Sequence, residues 1–283
     1  MSRTLFPLLL ILLLCGTLCT EPAHDGYCIV GSEEFQPILD AWSAAYEKEN
    51  PAPLHEGRGN DSAKIVLADG ICEMAAMTRP LNAKEISAIL RQSTEKPPLA
   101  IPVAVESLVI VAHREYPANR IDLDTLKRVY THPESAPGEF SESTPHSLPP
   151  FTDRAVWFRQ AVLNGEGVSE RAIISLGPLS LTDAIAATAK GIGYARMAEM
   201  HPGLKTLKLI RRDDDRSVGS ESAEAGGLPA RDYYIYIRRE RKASPQTIAF
   251  LRFILSERGQ RMLIPMGLTP ISIQRREAIL RML

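Results

Sequence analysis

The 283-residue chain has no excess of either charge: 33 Lys and Arg face 34 Asp and Glu, for a formal net charge of −1. Nucleic-acid binders usually carry a basic footprint, so that class is set aside. Enzyme signatures are also missing. There is no Gly-x-Ser-x-Gly elbow, no His-Glu-x-x-His pair and no P-loop. The six histidines, at 24, 55, 113, 132, 146 and 201, are dispersed without ligand spacing, which argues against a metal site. No cofactor is implied. The apolar run Leu5 to Leu14, about ten residues, is too short to span a bilayer.

What is present points to an exported globular protein. Hydrophobic residues make up 45% of the chain and charged residues 24%, ample for one large or two medium domains. Arg3 followed by Leu5 to Leu14 reads as a secretory signal over residues 1–22, with cleavage between Cys19 and Ala23. The expected location is periplasmic or secreted. Cys15 and Cys19 follow Leu14 and Leu18, which are bulky where a lipidation site wants a small residue, so a lipid anchor is disfavoured. Cys28 and Cys72 then remain. If their strands are parallel neighbours, a disulfide closes a loop of about 44 residues and contributes about 3–4 kcal/mol; two buried free thiols are the alternative.

Strand-to-helix turns recur along the chain. Tyr27 to Val30 breaks at Gly31-Ser32 into a helix with Phe35, Ile38, Leu39, Trp42, Ala45 and Tyr46 on one face. Gly31 is expected to allow a sharp turn and Ser32 to cap the helix. Such a helix start aims free amides and a positive dipole end at the crevice beyond the strand, which favours anions. A second turn, Gly57 to Ser62, leads into a helix over Ala63 to Asp69, with Asp61 or Ser62 as cap. A third strand, Gly70 to Met77, ends at Thr78-Arg79-Pro80-Leu81, and Asn82 caps the helix that follows. Arg79 offers paired donors suited to an oxyanion.

Gly31-Ser32-x-x-x-x-Pro37, the Gly-rich turn with Ser62, and Thr78-Arg79-Pro80-Leu81 together resemble the periplasmic phosphate-binding proteins of the PstS-like group. The order continues with Ile101 to Val111 and Ile121 to Tyr130. Gly191-Ile192-Gly193-Tyr194, Tyr233 to Ile237 and Phe250 to Pro270 complete it. The resemblance implies an α/β protein with the two-lobe, type II periplasmic-binding-protein fold and two hinge crossings. Lobe I is placed at 25–104 plus 236–283 and lobe II at 107–233, with crossings near 104–107 and 233–236. It implies a monomer, phosphate or a related oxyanion as ligand, and the membrane permease of an ABC transporter as partner.

The chain departs from the group at the ligand loop of the second lobe. Where the group has Arg-x-x-x-Ser-Gly-Thr, this sequence places Leu148, Thr152, Asp153 and Arg154. The arginine is lost, and Arg154 is the candidate replacement cation. The oxyanion-binding set is therefore expected from Ser32, Glu33, Asn60, Asp61, Ser62, Thr78, Arg79, Thr152, Asp153 and Arg154. Asp61 and Asp153 are candidates to accept a proton from hydrogen phosphate. A degenerate binding-protein fold, serving as a recognition, scaffold or sensor module without phosphate capture, is the alternative.

Three further segments read as structural. Thr131 to Pro150, with five prolines and two histidines, is expected to be a surface excursion beside the cleft. Arg211 to Gly227 reads as a solvated loop. Ser180 to Asp183 reads as a capping box opening a helix over Ala184 to Lys190.

Overall fold

The computed structural model describes residues 26–93, 96–210, 227–239 and 243–283. The expected leader and the Arg211 to Gly227 loop, apart from Gly227 itself, lie outside the described residues.

Two six-stranded sheets organise the chain. The first contains β1 (Cys28–Gly31), β2 (Leu54–Gly57), β3 (Met74–Met77), β4 (Leu99–Glu106), β11 (Arg231–Ile237) and β12 (Leu268–Thr269), in the order β12-β4-β11-β3-β1-β2. The second contains β5 (Val109–His113), β6 (Arg120–Asp122), β7 (Thr144–Ser147), β8 (Ile173–Ile174), β9 (Gly191–Ala195) and β10 (Leu204–Ile210), in the order β6-β10-β5-β9-β7-β8. Each sheet is mixed. In the first, β1 runs parallel to β2 and β3, while β11 runs antiparallel to β3 and β4.

Helices cover the sheets through apolar faces spaced as the sequence requires. Helix α1 (Gln36–Tyr46) buries Ile38, Leu39, Trp42 and Tyr46, and Trp42 Nε1 donates to the Gly259 carbonyl at 2.8 Å, tying the first helix to the C-terminal region. Helices α2 (Gly59–Asp69) and α3 (Ala83–Ser93) pack beside β3. Helix α4 (Leu123–Thr131) and α5 (Asp153–Val162) enclose the second core with Tyr130, Phe158 and Tyr194, the last two stacked at 4.2 Å. Helix α6 (Pro178–Ala186) lies against β9, and α7 (Pro245–Leu255), α8 (Glu257–Arg261) and α9 (Ile273–Leu280) complete the first lobe. No helix among the described residues is long and apolar enough to cross a membrane.

The two crossings between the lobes lie side by side. The chain leaves the first sheet after Glu106 and enters the second at Val109, and Leu228 on the return path donates its amide to the Leu108 carbonyl at 2.8 Å. Strand β11 already pairs with β4 at Arg231, so the return crossing precedes Arg231 rather than falling at 233–236. The register shifts between Tyr233 and Tyr234, a bulge immediately beside the interlobe region.

Several local expectations change. Gly31 has no positive φ; a Cβ there would sit 2.4 Å from the Ala76 carbonyl oxygen, so the glycine serves close strand approach rather than a sharp turn. Helix α2 starts at Gly59, which puts Asp61 and Ser62 inside its first turn instead of at the cap. The Thr131 to Pro150 stretch is not a surface excursion: it contains β7, which pairs with both β8 and β9, and His146, Ser147 and Leu148 are buried. Helix α6 begins at Pro178, before Ser180, whose hydroxyl bonds back to Gly177. Cys28 and Cys72 are joined by a disulfide with Cα atoms 4.9 Å apart.

Candidate functional site

The cleft between the lobes has a volume of 1420 Å³ and is lined by residues from β-strand ends, helix starts and the C-terminal turn. Glu33, Asn60, Asp61, Thr78, Arg79 and Asp153 all face it. Three of these form one cluster with Ser32. The Ser32 hydroxyl donates to Asp153 Oδ2, and the Thr78 side chain helps favour the charged Asp153 carboxylate. Asn60 Nδ2 donates to Thr78 Oγ1 at 3.1 Å, and Asn60 Oδ1 accepts the Thr78 amide at 3.1 Å. Because the Asn60 amide supplies a hydrogen to Thr78 Oγ1, the Thr78 hydroxyl keeps its own hydrogen available for donation.

These residues meet because of where their elements end. Ser32 follows β1 and caps a 3-10 turn, Glu33–Phe35, that feeds α1. Thr78 follows β3, the parallel neighbour of β1, and Asn60 lies in the first turn of α2. Asp153 is the first residue of α5 from the opposite lobe. Strand carboxyl ends and helix starts thus aim at one crevice, the usual ligand position in an open α/β sheet.

Other expected ligands are committed elsewhere. Arg79 lines the cleft, but its guanidinium forms a two-pronged pair with Glu85 at 2.7 and 2.8 Å. Lys64 joins that pair at 3.0 Å, and Arg79, the Asn82 amide and Lys64 together hold the Glu85 carboxyl down at about 2, against the pull of partial burial. Asp61 is exposed and pairs with Lys64 at 2.7 Å. Ser62 does not line the cleft. Thr152 caps its own helix, accepting from the Ala155 amide and donating to the Pro149 carbonyl. Arg154 is buried and turned away from the cleft toward Glu199 and Glu106, so its side chain is not the replacement cation the sequence suggested. Neighbours in sequence hold Arg79, Asp61 and Thr152, whereas acids distant in sequence fix where Arg154 points.

Five residues at the heart of the site, Glu34, Glu106, Arg196, Arg231 and Tyr233, were missed. Glu34 reaches across the cleft: its Oε1 accepts the Arg154 amide in the first turn of α5 at 2.7 Å. Its Oε2 accepts from Arg231 Nη2 at 2.5 Å and from the Tyr233 hydroxyl at 2.8 Å. Arg231 in turn donates to Glu106, and Arg196 donates to Glu106 at 2.5 Å and to Tyr233 at 2.9 Å. The only sequence signal was a charged residue at each of two apolar strand ends, Glu106 on β4 and Arg231 on β11.

The electrostatics follow from this packing. Burial pushes the Asp153 carboxyl upward and Glu34 adds to the rise, while the Ser32 hydroxyl and Arg231 oppose it; the net shift is up. Burial also works against charge on Glu106, yet Arg231, Arg196 and Arg154 hold its carboxyl far below the ordinary range. The site combines a hydroxyl cluster around one raised carboxyl with a buried ionic lattice behind it. Chemically it can donate hydrogen bonds and balance charge.

Comparison with known proteins fixes the family. A family model described as the PBP superfamily domain matches residues 20–258. The chain belongs to the PBP superfamily. Among curated relatives, this superfamily member is 22% identical to the phosphate-binding protein PstS of Pseudomonas aeruginosa over 265 residues, 86% of this chain and 82% of the relative. It is 22% identical to protein SphX of Synechococcus elongatus over 250 residues, 81% and 73% of the two chains. Its fold is shared with an ABC-type phosphate transport receptor from Vibrio cholerae, with a TM-score of 0.69 and 15% identity, covering 86% of this chain and 99% of the other. PstS from Borrelia burgdorferi gives a TM-score of 0.62 and 16% identity, with coverage of 87% and 98%. The two-lobe binding-protein fold expected from the sequence is the fold observed.

Proposed function

We propose that the chain is an exported solute-binding protein that captures phosphate or a related oxyanion between its lobes and delivers it to an ABC-type permease. The observation that carries this reading is the convergence of the Ser32 and Thr78 hydroxyls, from two parallel strand ends of one lobe, on the helix start at Asp153 of the other. The names of its relatives point to phosphate, and hydroxyls plus helix-start amides suit that ligand. Asp153, with its raised carboxyl, serves in this reading as the group that shares a proton with the bound anion.

A second reading rests on a specific observation. Both donor clusters are occupied by carboxylates of the chain itself, Asp153 on the Ser32 hydroxyl and Glu34 on the α5 amide. This favours a recognition module whose solute capture is lost.

Calorimetric titration of the mature protein with phosphate, sulfate and arsenate separates the two. The first reading expects heat with at least one of them, reduced at least about tenfold in affinity by Ser32→Ala or Thr78→Val, a loss of about 1.4 kcal/mol. No heat and no shift in Tm with any anion supports the second and rejects the first.

A further inference from the structure

The donor set at the inner end of the cleft is complete without any solute. Glu34 Oε1 takes the first-turn amide of α5 at 2.7 Å, and Oε2 takes a guanidinium hydrogen of Arg231 and the Tyr233 hydroxyl. An amide at a helix start, a cation and a phenol are what a bound oxyanion demands. Glu34 follows β1 in the first lobe, whereas the Arg154 amide belongs to the second, so this contact spans the cleft. Its bonds therefore draw the lobes together as a captured anion does, with the anion supplied by the chain.

Two features make the contact releasable. The Glu34 side chain keeps 17% of its surface exposed, so it has a path to water. Arg231 is also held by Glu106, with Nε 2.6 Å from Oε2, so departure of Glu34 does not strand an unpaired buried cation.

We propose that Glu34 sets the affinity and selectivity of the cleft: it occupies the oxyanion seat, holds the solute-free lobes together and must leave before an external oxyanion is bound. The seat-holding part stands on the geometry alone; the displacement part rests on the oxyanion reading above. A tethered carboxylate competes at an effective concentration of order millimolar or higher. An external anion therefore binds with an affinity lowered by the fraction of molecules in which the seat is free. A tetrahedral dianion, with more acceptors and charge than a carboxylate, is the class able to win that competition.

The test uses the mature protein, Glu34→Ala and the closer isostere Glu34→Gln, with thermal melting to establish that each is folded. Small-angle scattering without solute is expected to show a compact wild type and a larger radius of gyration for Glu34→Ala. Phosphate titration is expected to show at least about tenfold tighter binding by both variants. If Glu34→Ala does not fold, Glu34→Gln carries both measurements. Wild-type scattering from the folded variants overturns the proposal whatever the titration gives. Open variants that bind phosphate no tighter than a phosphate-binding wild type overturn the displacement part. Open variants in a series where neither wild type nor variant binds any oxyanion support the seat and reject the oxyanion reading.

Discussion

Glu106 and Arg231 face each other as direct partners on the two antiparallel strands that lead across the hinge, with Arg231 Nε 2.6 Å from Glu106 Oε2. Glu106 is fully buried and is the meeting point of Arg231, Arg196 and Arg154. The carboxylate therefore locks the last residue of β4 to the first of β11, and both to the second lobe.

Glu106→Gln is expected to cost about 3–5 kcal/mol, because it leaves three buried arginines short of one anion. Urea unfolding of wild type and variant checks the figure. The sign with pH is fixed by the lowered carboxyl: its stabilisation is present above the ordinary carboxylate range and is lost as pH falls below it. The variant should lack that part of the acid destabilisation; parallel acid-unfolding curves contradict the assignment.

Asp153 has a carboxyl raised by burial, so its neutral form gains weight as pH falls. Sulfate, which stays dianionic, should then bind more tightly at about pH 5 than at about pH 8. Asp153→Asn is expected to bind about tenfold tighter at the higher pH and to flatten the dependence. Calorimetry at the two pH values decides, and a wild type indifferent to pH counts against this role.

Gly31→Ala should be strongly destabilising although its backbone is ordinary. The new Cβ would stand 2.4 Å from the Ala76 oxygen and 2.5 Å from the Ala76 Cβ, so β1 and β3 must separate. The expected loss is about 1–3 kcal/mol or more, read from the midpoint of urea unfolding. A midpoint equal to wild type shows that the strands give way freely.

His146 is fully buried on β7, with neither ring nitrogen hydrogen-bonded. Burial lowers it from 6.5 to about 4. A lowered histidine binds its proton more weakly folded than unfolded, so stability is full above pH 6.5 and falls as pH drops toward 4. The loss is about 2–3 kcal/mol. His146→Leu should remove it, so that the variant gains on wild type in Tm as the solution is acidified. An unchanged difference across that range rules the histidine out as its source.

By itself the sequence determined the repeated strand-to-helix turns, the apolar stripe of α1, the cap at Asn82 and the ordering of elements that gives two lobes. The first three rest on periodicity or a hydrogen bond within a few residues, signals that are written locally, while the two-lobe ordering was legible through the resemblance to the PstS-like group. Ser32, Asn60 and Thr78 were legible as residues at strand ends and helix starts, and Asp153 through alignment with the group's second-lobe ligand loop. The tertiary structure alone decided which cation meets which anion. Arg154 turns to Glu199, 45 residues on, and Glu34 meets an amide 120 residues away. It also made Thr144–Ser147, inside the apparent loop from Thr131 to Pro150, a strand of the second sheet, because β9 and β8 supply the partners its polar sequence does not announce. Charge pairing and strand pairing depend on register and lobe packing, and these arise only when distant segments are brought together.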